Sequence, residues 1–199
     1  MRYVEDTLHS GKTLLIILLL ILICLGVCGG IWLVYHYPNC RYLYCDCATH
    51  GFMESYSKKT LLRVFFNSVS WTGYLLIFVY LCGYSAITQL LELLTLLFRG
   101  FAIGISAIAT YMQYQSKGIL IFLLMMLFNI VGSTIVLVYG VVHSMEQSTN
   151  IAYTILGKRY NPIDIKQYSI KFLMLFGILI AIGLIDTTIT YLLTNAMLK

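Results

Sequence analysis

Long uncharged apolar runs alternate along the chain with short stretches that collect the charges, and the runs have the length of membrane-crossing helices. The first extends from Thr13 to Tyr35, 23 residues without a charge, where about 20 suffice to cross the hydrocarbon core. It is entered through Arg2, Glu5, Asp6 and Lys12 and left through Trp32, Tyr35, Tyr37 and Pro38, amphipathic rings of the kind that settle at headgroup level. A cleaved leader fits this run less well than a retained span, because the run exceeds a signal h-region and no small-x-small site closes it. Residues 36–63 form a first polar loop. The next stretch, Val64 to Met112, is too long for one crossing, and Gly83-Tyr84-Ser85 supplies the break. Spans are therefore expected at 13–35, 64–83, 87–112, 119–142 and 169–195. A connection at 113–118 joins the third and fourth, and a second loop covers 143–168, with a short interfacial helix near 147–156. The pattern predicts an all-α integral membrane protein of about five transmembrane helices, a single membrane domain over 1–199, with the third helix interrupted near Arg99-Gly100.

Composition narrows the class further. Of 199 residues 60% are apolar and only 11% charged, and the mean hydropathy is +0.86, values that leave a soluble domain of this size too little polar surface. No length remains for a second, soluble domain. The net charge of +5 comes from 13 scattered Lys and Arg, a distribution suited to anionic lipid headgroups and not to nucleic acid. Charge bias leaves the orientation open: Arg2, Lys12, Lys158, Arg159, Lys166 and Lys171 on one side balance Arg41, Lys58, Lys59, Arg63, Lys117 and Lys199 on the other.

Two charges lie inside the third apolar run. Glu92 and Arg99 are seven residues apart, close to two helical turns, so they share a face but stand about 10 Å apart along the axis. A charge at the centre of a span costs at least roughly 2.5 kcal/mol on insertion scales, so each needs a partner. The expected partners of Arg99 are Asp186 or Asn129 on other spans. The alternative places 86–98 in the interface or in a re-entrant half-helix, with Arg99 reaching headgroups. Directly after Arg99, Gly100 and Gly104 form a small-xxx-small strip, repeated by Ala102 and Ser106, by Gly26 and Gly30 in the first span and by Gly177 and Ala181 in the fifth. Such strips let helix backbones approach closely.

Cys40, Cys45, Cys47 and His50 lie within 11 residues of the first loop, which leaves three readings: a disulfide among the cysteines, free thiols, or a metal held by all four residues. One residue between Cys45 and Cys47 makes a shared tetrahedral site awkward. Cys24, Cys28 and Cys82 read as small apolar packing residues. The sequence has no nucleophile elbow, no His-Glu-x-x-His, no phosphate-binding glycine loop and no histidine within a span, so neither an enzyme nor a bound cofactor is expected.

Residues 64–143 order their features like the stage II sporulation protein M family of bacterial and archaeal membrane proteins. Trp71 and Gly73 open the second span, a further apolar segment carries Arg99-Gly100-Phe101 and then Gly104, a short turn closes on Gly118, and Asn129 sits within the fourth span. The chain departs from the family where Leu127-Phe128-Asn129 lacks the Leu-Pro pair usual before the Asn. The resemblance covers about 80 of the 199 residues and implies five spans with a cytoplasmic N-terminus in the cell membrane, which would put residues 36–63 outside and favour the disulfide. It also implies a non-catalytic role, as a scaffold or assembly component for other membrane or cell-envelope proteins. In spore formers the family organises peptidoglycan-degrading partners during engulfment, and other relatives accompany peptide (bacteriocin) export or immunity beside an ABC-type ATPase. The competing expectation is therefore a permease-like subunit in which Glu92, Arg99 and Asp186 line a path. A path through so small a chain would need a partner or a homo-oligomer.

Overall fold

A computed structural model describes the backbone of residues 2–37, 61–85, 87–155 and 165–197, with side chains described for 13–37, 65–66, 69–85, 87–108, 111–112, 129–155 and 165–189. The described backbone is helical apart from short turns: α1 (Arg2–His36), α2 (Leu61–Cys82), α3 (Gln89–Ile155) and α4 (Ile165–Met197). Three segments are long and apolar enough to cross a membrane, Thr13–His36 in α1, Gln89–Ile108 in α3 and Ile165–Ile189 in α4, and Val69–Cys82 in α2 is a shorter apolar helix. Their outward faces carry exposed Leu, Ile and Phe, among them Leu14, Ile17, Ile21, Phe78, Leu94, Leu173 and Ile178, as expected where lipid chains replace water.

The break after α2 falls at Gly83-Tyr84-Ser85. There Tyr84 N donates to Leu81 O at 3.2 Å and Ser85 N to Cys82 O at 3.0 Å, turn bonds that use up carbonyls a helix end would otherwise leave orphaned. Thr88 ties the two helices together. Its carbonyl accepts Glu92 N–H at 3.1 Å, and its hydroxyl reaches back to Cys82 O and Ser85 O, at 2.5 and 2.9 Å.

α3 spans 67 residues but is not a rod. At 1.5 Å per residue a straight helix would hold Arg99 and Ser133 about 50 Å apart, yet Arg99 Nη2 donates to Ser133 Oγ at 2.6 Å. Ser144 meets Glu92 at 2.6 Å, and Gln89 meets Thr149 at 3.0 Å. The helical run therefore doubles back between residues 108 and 129, giving a first arm, Gln89–Ile108, and an antiparallel second arm, residues 129–155. The three pairs have midpoints near residues 116–119, at the end of the polar stretch 113–118. Two expectations change. The first arm is helical through Arg99-Gly100 without interruption, because the lateral bond to Ser133 serves the charge and a neighbouring helix occupies the space the glycine leaves. The second arm continues to Ile155, absorbing both the start of the expected loop at 143–168 and the separate helix near 147–156.

Side-chain neighbours set the directions of the remaining helices. Gly73 faces Phe176, Gly83 faces Tyr168, and Gly183 faces Val69 and Phe65, so α2 and α4 are antiparallel. Gly132 faces Ile182 and Gly140 faces Phe172, so the second arm also opposes α4. In chain order the five segments alternate in direction, and the three long apolar ones all point the same way. One buried cluster joins them: Leu19 of α1, Leu76 and Val79 of α2, Leu96 of the first arm, Leu137 and Val141 of the second, and Phe172 and Leu179 of α4.

α1 packs on the first arm glycine against glycine. A Cβ on Gly26 would meet the backbone of Leu97, Gly100 and Phe101; one on Gly30 would meet Phe101 and Ile105; one on Gly104 would meet Val27. The paired numbers rise together, so the two helices are parallel, and backbone contact is close enough to maximise dispersion and Cα–H···O contacts. On Gly177 of α4, in contrast, a Cβ would meet no described atom within 4 Å. Gly30→Leu or Gly104→Leu should lower detergent-solubilised stability by about 1–3 kcal/mol, the usual cost of overpacking, while Gly177→Leu leaves it unchanged; thermal unfolding monitored by size-exclusion chromatography reads the difference.

Candidate functional site

The interior polar groups lie in layers at successive depths. Nearest the turn at Gly83-Tyr84-Ser85 is the layer around Glu92, whose side chain is fully buried at 0% exposure. Glu92 Oε1 is 2.6 Å from Ser144 Oγ, and that hydroxyl also lies 2.9 Å from Val79 O of α2. Glu92 Oε2 has no hydrogen-bond partner among the described residues. Tyr168 of α4 covers the layer, its hydroxyl donating to Tyr80 O at 2.9 Å and its ring stacked on Tyr80 at a centroid distance of 5.3 Å. Tyr80 in turn shares hydrogen bonds with Tyr84 at 2.6 Å and Ser169 at 3.0 Å. Ser148 adds a bond to Ser85 O at 2.7 Å. Residues from α2, both arms of α3 and α4 thus meet around one carboxyl group.

Two turns deeper is Arg99. Its neighbour Gly100 touches Ile23 and Gly26, the middle of the 24-residue apolar segment Thr13–His36, so Arg99 lies level with the centre of that segment. It is 9% exposed. Its described bond goes to Ser133, and Nε has no partner among the described residues. Leu96 and Leu137, both at 0% exposure and in the same cluster, occupy the level between Glu92 and Arg99 and separate the two polar layers with hydrocarbon. One turn beyond Ser133 on the second arm, Asn129 Nδ2 donates to Asp186 Oδ2 of α4 at 3.2 Å. Asp186 and Asn129 are both buried. Thr187 beside Asp186 turns inward on its own helix, donating to Gly183 O at 2.7 Å.

The six polar and glycine residues singled out from sequence are thus distributed as follows. Glu92 and Arg99 share the inward face of the first arm, Gly100 and Gly104 face α1, and Asn129 pairs with Asp186. The expected union of Arg99 with Asp186 or Asn129 is not the one formed, because Asn129 is taken by Asp186 and Ser133, one turn nearer, meets the guanidinium. The side chain of Arg99 is buried and turned to the second arm. Cys40, Cys45, Cys47 and His50 lie outside the described residues. Ser133, Ser144 and Tyr168 are not among the residues that sequence reasoning selects. Mirroring residue 99 about 113–118 lands at 132, beside Ser133, so the arginine's partner is within reach of the sequence; Tyr168 carries no such signal.

Comparison with protein-family models finds no match, and comparison with curated proteins and with solved structures finds none either. The class defined by the fold is that of a helical protein with, among the described residues, three helices long and apolar enough to cross a membrane.

Removing the hydroxyl at Ser133 strands a buried guanidinium N–H, so Ser133→Ala should destabilise the protein by about 1–2 kcal/mol, within the range measured for interhelical bonds in membranes. Ser133→Ala combined with Arg99→Met removes both members and should recover most of that loss. A double-mutant cycle on unfolding in detergent checks the coupling.

Proposed function

We propose that this chain is a five-span, multi-pass protein of the cell membrane that acts without catalysis, as a scaffold or assembly component for other membrane or cell-envelope proteins. The observation that carries the reading is the fate of the charges. Glu92 and Arg99 are bound to serines of the second arm and kept apart by the Leu96 and Leu137 layer, so they brace one helix against another. A charged side chain with a costly insertion is explained by such a brace when its bonds lie inside the protein. Support for five spans comes from direction: three parallel crossings require two returns, and α2 and the second arm run the opposite way beside them. The resemblance of residues 64–143 to the stage II sporulation protein M family points to the same span number and to work through partners.

A second reading rests on the stacking of three polar layers, at Glu92, at Arg99 and at Asp186, through the depth of the bundle. It makes the chain a permease-like subunit for a peptide, working with an ABC-type ATPase. Purification from native membranes in mild detergent separates the two. The scaffold reading expects envelope or membrane proteins to remain bound and Asp186→Asn to leave that set unchanged. An ATPase as the stable companion, with peptide export lost in Asp186→Asn, overturns it.

Five spans also put the two ends of the chain on opposite faces. Reporter tags at Met1 and Lys199 should be accessible from opposite sides of sealed vesicles; accessibility from one side rules out an odd number of crossings.

A further inference from the structure

We propose that Glu92 is a proton-binding site, held as the carboxylic acid in the folded bundle and exchanging its proton at the end where Gly83-Tyr84-Ser85 turns. Ser144 supplies the reason. Its hydroxyl owns one hydrogen yet makes two short contacts, 2.6 Å to Glu92 Oε1 and 2.9 Å to Val79 O. A backbone carbonyl only accepts. With Glu92 as a carboxylate, two acceptors compete for one hydrogen and one short O···O contact has none between its atoms. With a proton on Oε1, Glu92 donates to Ser144 and Ser144 donates to Val79 O, so both contacts become hydrogen bonds. The distance of 2.6 Å is that of an O–H···O bond.

The surroundings agree with a neutral acid. Glu92 is fully buried, and among the described residues no basic group lies in ion-pair range of it. The titratable and charged groups facing it are few. α2 brings Tyr80 and Cys82, with Tyr84 in the following turn, and α4 brings Tyr168, with Lys166 and Lys171 on its exposed side. The second arm brings His143 and Glu146, which contact each other at 3.5 Å. On the first arm the next charge is Arg99, beyond Leu96; α1 between Thr13 and Leu19 has none. A short route leads outward, since the hydroxyls of Ser144 and Tyr168 both border Gly83 and Tyr84, 39% exposed, is edge-on to Tyr168.

Loss of the proton to water leaves a carboxylate that withdraws Ser144 from Val79 O, loosening the second arm from α2. The junction of four segments therefore responds to protonation at one atom, an addition to the scaffold reading that stands or falls separately from it.

The test uses the full chain in lipid vesicles and dicyclohexylcarbodiimide, an apolar reagent that adds to a protonated carboxyl group and leaves an N-acylurea. Mass spectrometry should find the adduct on Glu92, its yield falling at least tenfold as pH is raised, and none in Glu92→Gln. Infrared spectra should show a protonated-carboxyl band that Glu92→Gln removes. Glu92→Gln keeps a donor toward Ser144 and should remain folded and monodisperse, so the missing band is read on intact protein. Absence of both the adduct and the band difference overturns the proposal, and so does protection of Glu92 by sodium at constant pH, which would make the occupant a metal cation.

Discussion

A guanidinium buried midway along a helix apolar enough to cross a membrane must find its hydrogen bonds inside the protein, and much of this structure follows from how Arg99 does so. Its bond to Ser133 is possible only because α3 reverses on itself, since the two residues would otherwise be about 50 Å apart. The reversal fixes the register of the arms and carries Glu92 to Ser144 and Gln89 to Thr149. In a solvent that offers no competing hydrogen bonds, such pairs choose among alternative packings of equally greasy helices more than they add bulk stability.

The other face of the same arm solves a different problem. α1 carries a segment able to cross a membrane, and for a helix in lipid, whose tails are as apolar as leucine, nothing like the hydrophobic effect in water presses it onto its neighbour. Contact area has to come from closeness, and Gly26, Gly30, Gly100 and Gly104 supply it by letting one backbone rest on another. Residues 99 and 100 thus divide the labour between adjacent positions: the arginine turns to the second arm and the glycine to α1. This also explains why the helix tolerates Arg99-Gly100 without a break.

Much of this is legible in the amino-acid sequence because the bilayer leaves so few choices. Apolar run length marks the helices, Gly83-Tyr84-Ser85 marks the turn, and the glycine spacing of the first and third spans marks surfaces that do meet. What is not legible depends on rotation and depth. Periodicity places Glu92 and Arg99 on one face but does not say which helix that face meets, and the partner is serine, a residue common enough in membrane helices to attract no notice. The end of the second arm departs from expectation for a related reason: polarity places His143 and Glu146 in a loop, whereas here they continue a helix to Ile155, since a helix makes its backbone hydrogen bonds internally whatever its side chains.

α3 is a hairpin whose arms are joined across their polar layers. This arrangement is tested most directly by Gln89→Cys with Thr149→Cys in a cysteine-free background, oxidised in native membranes. These positions lie at the outer end of the arms, about one helical turn beyond the Glu92–Ser144 pair and farther from Arg99, and their side chains meet at 3.0 Å. The hairpin should form an intramolecular disulfide rapidly, detected by retained linkage after proteolysis between the arms. A rod would hold the same positions about 90 Å apart, and failure to cross-link in folded, membrane-inserted protein would contradict the hairpin.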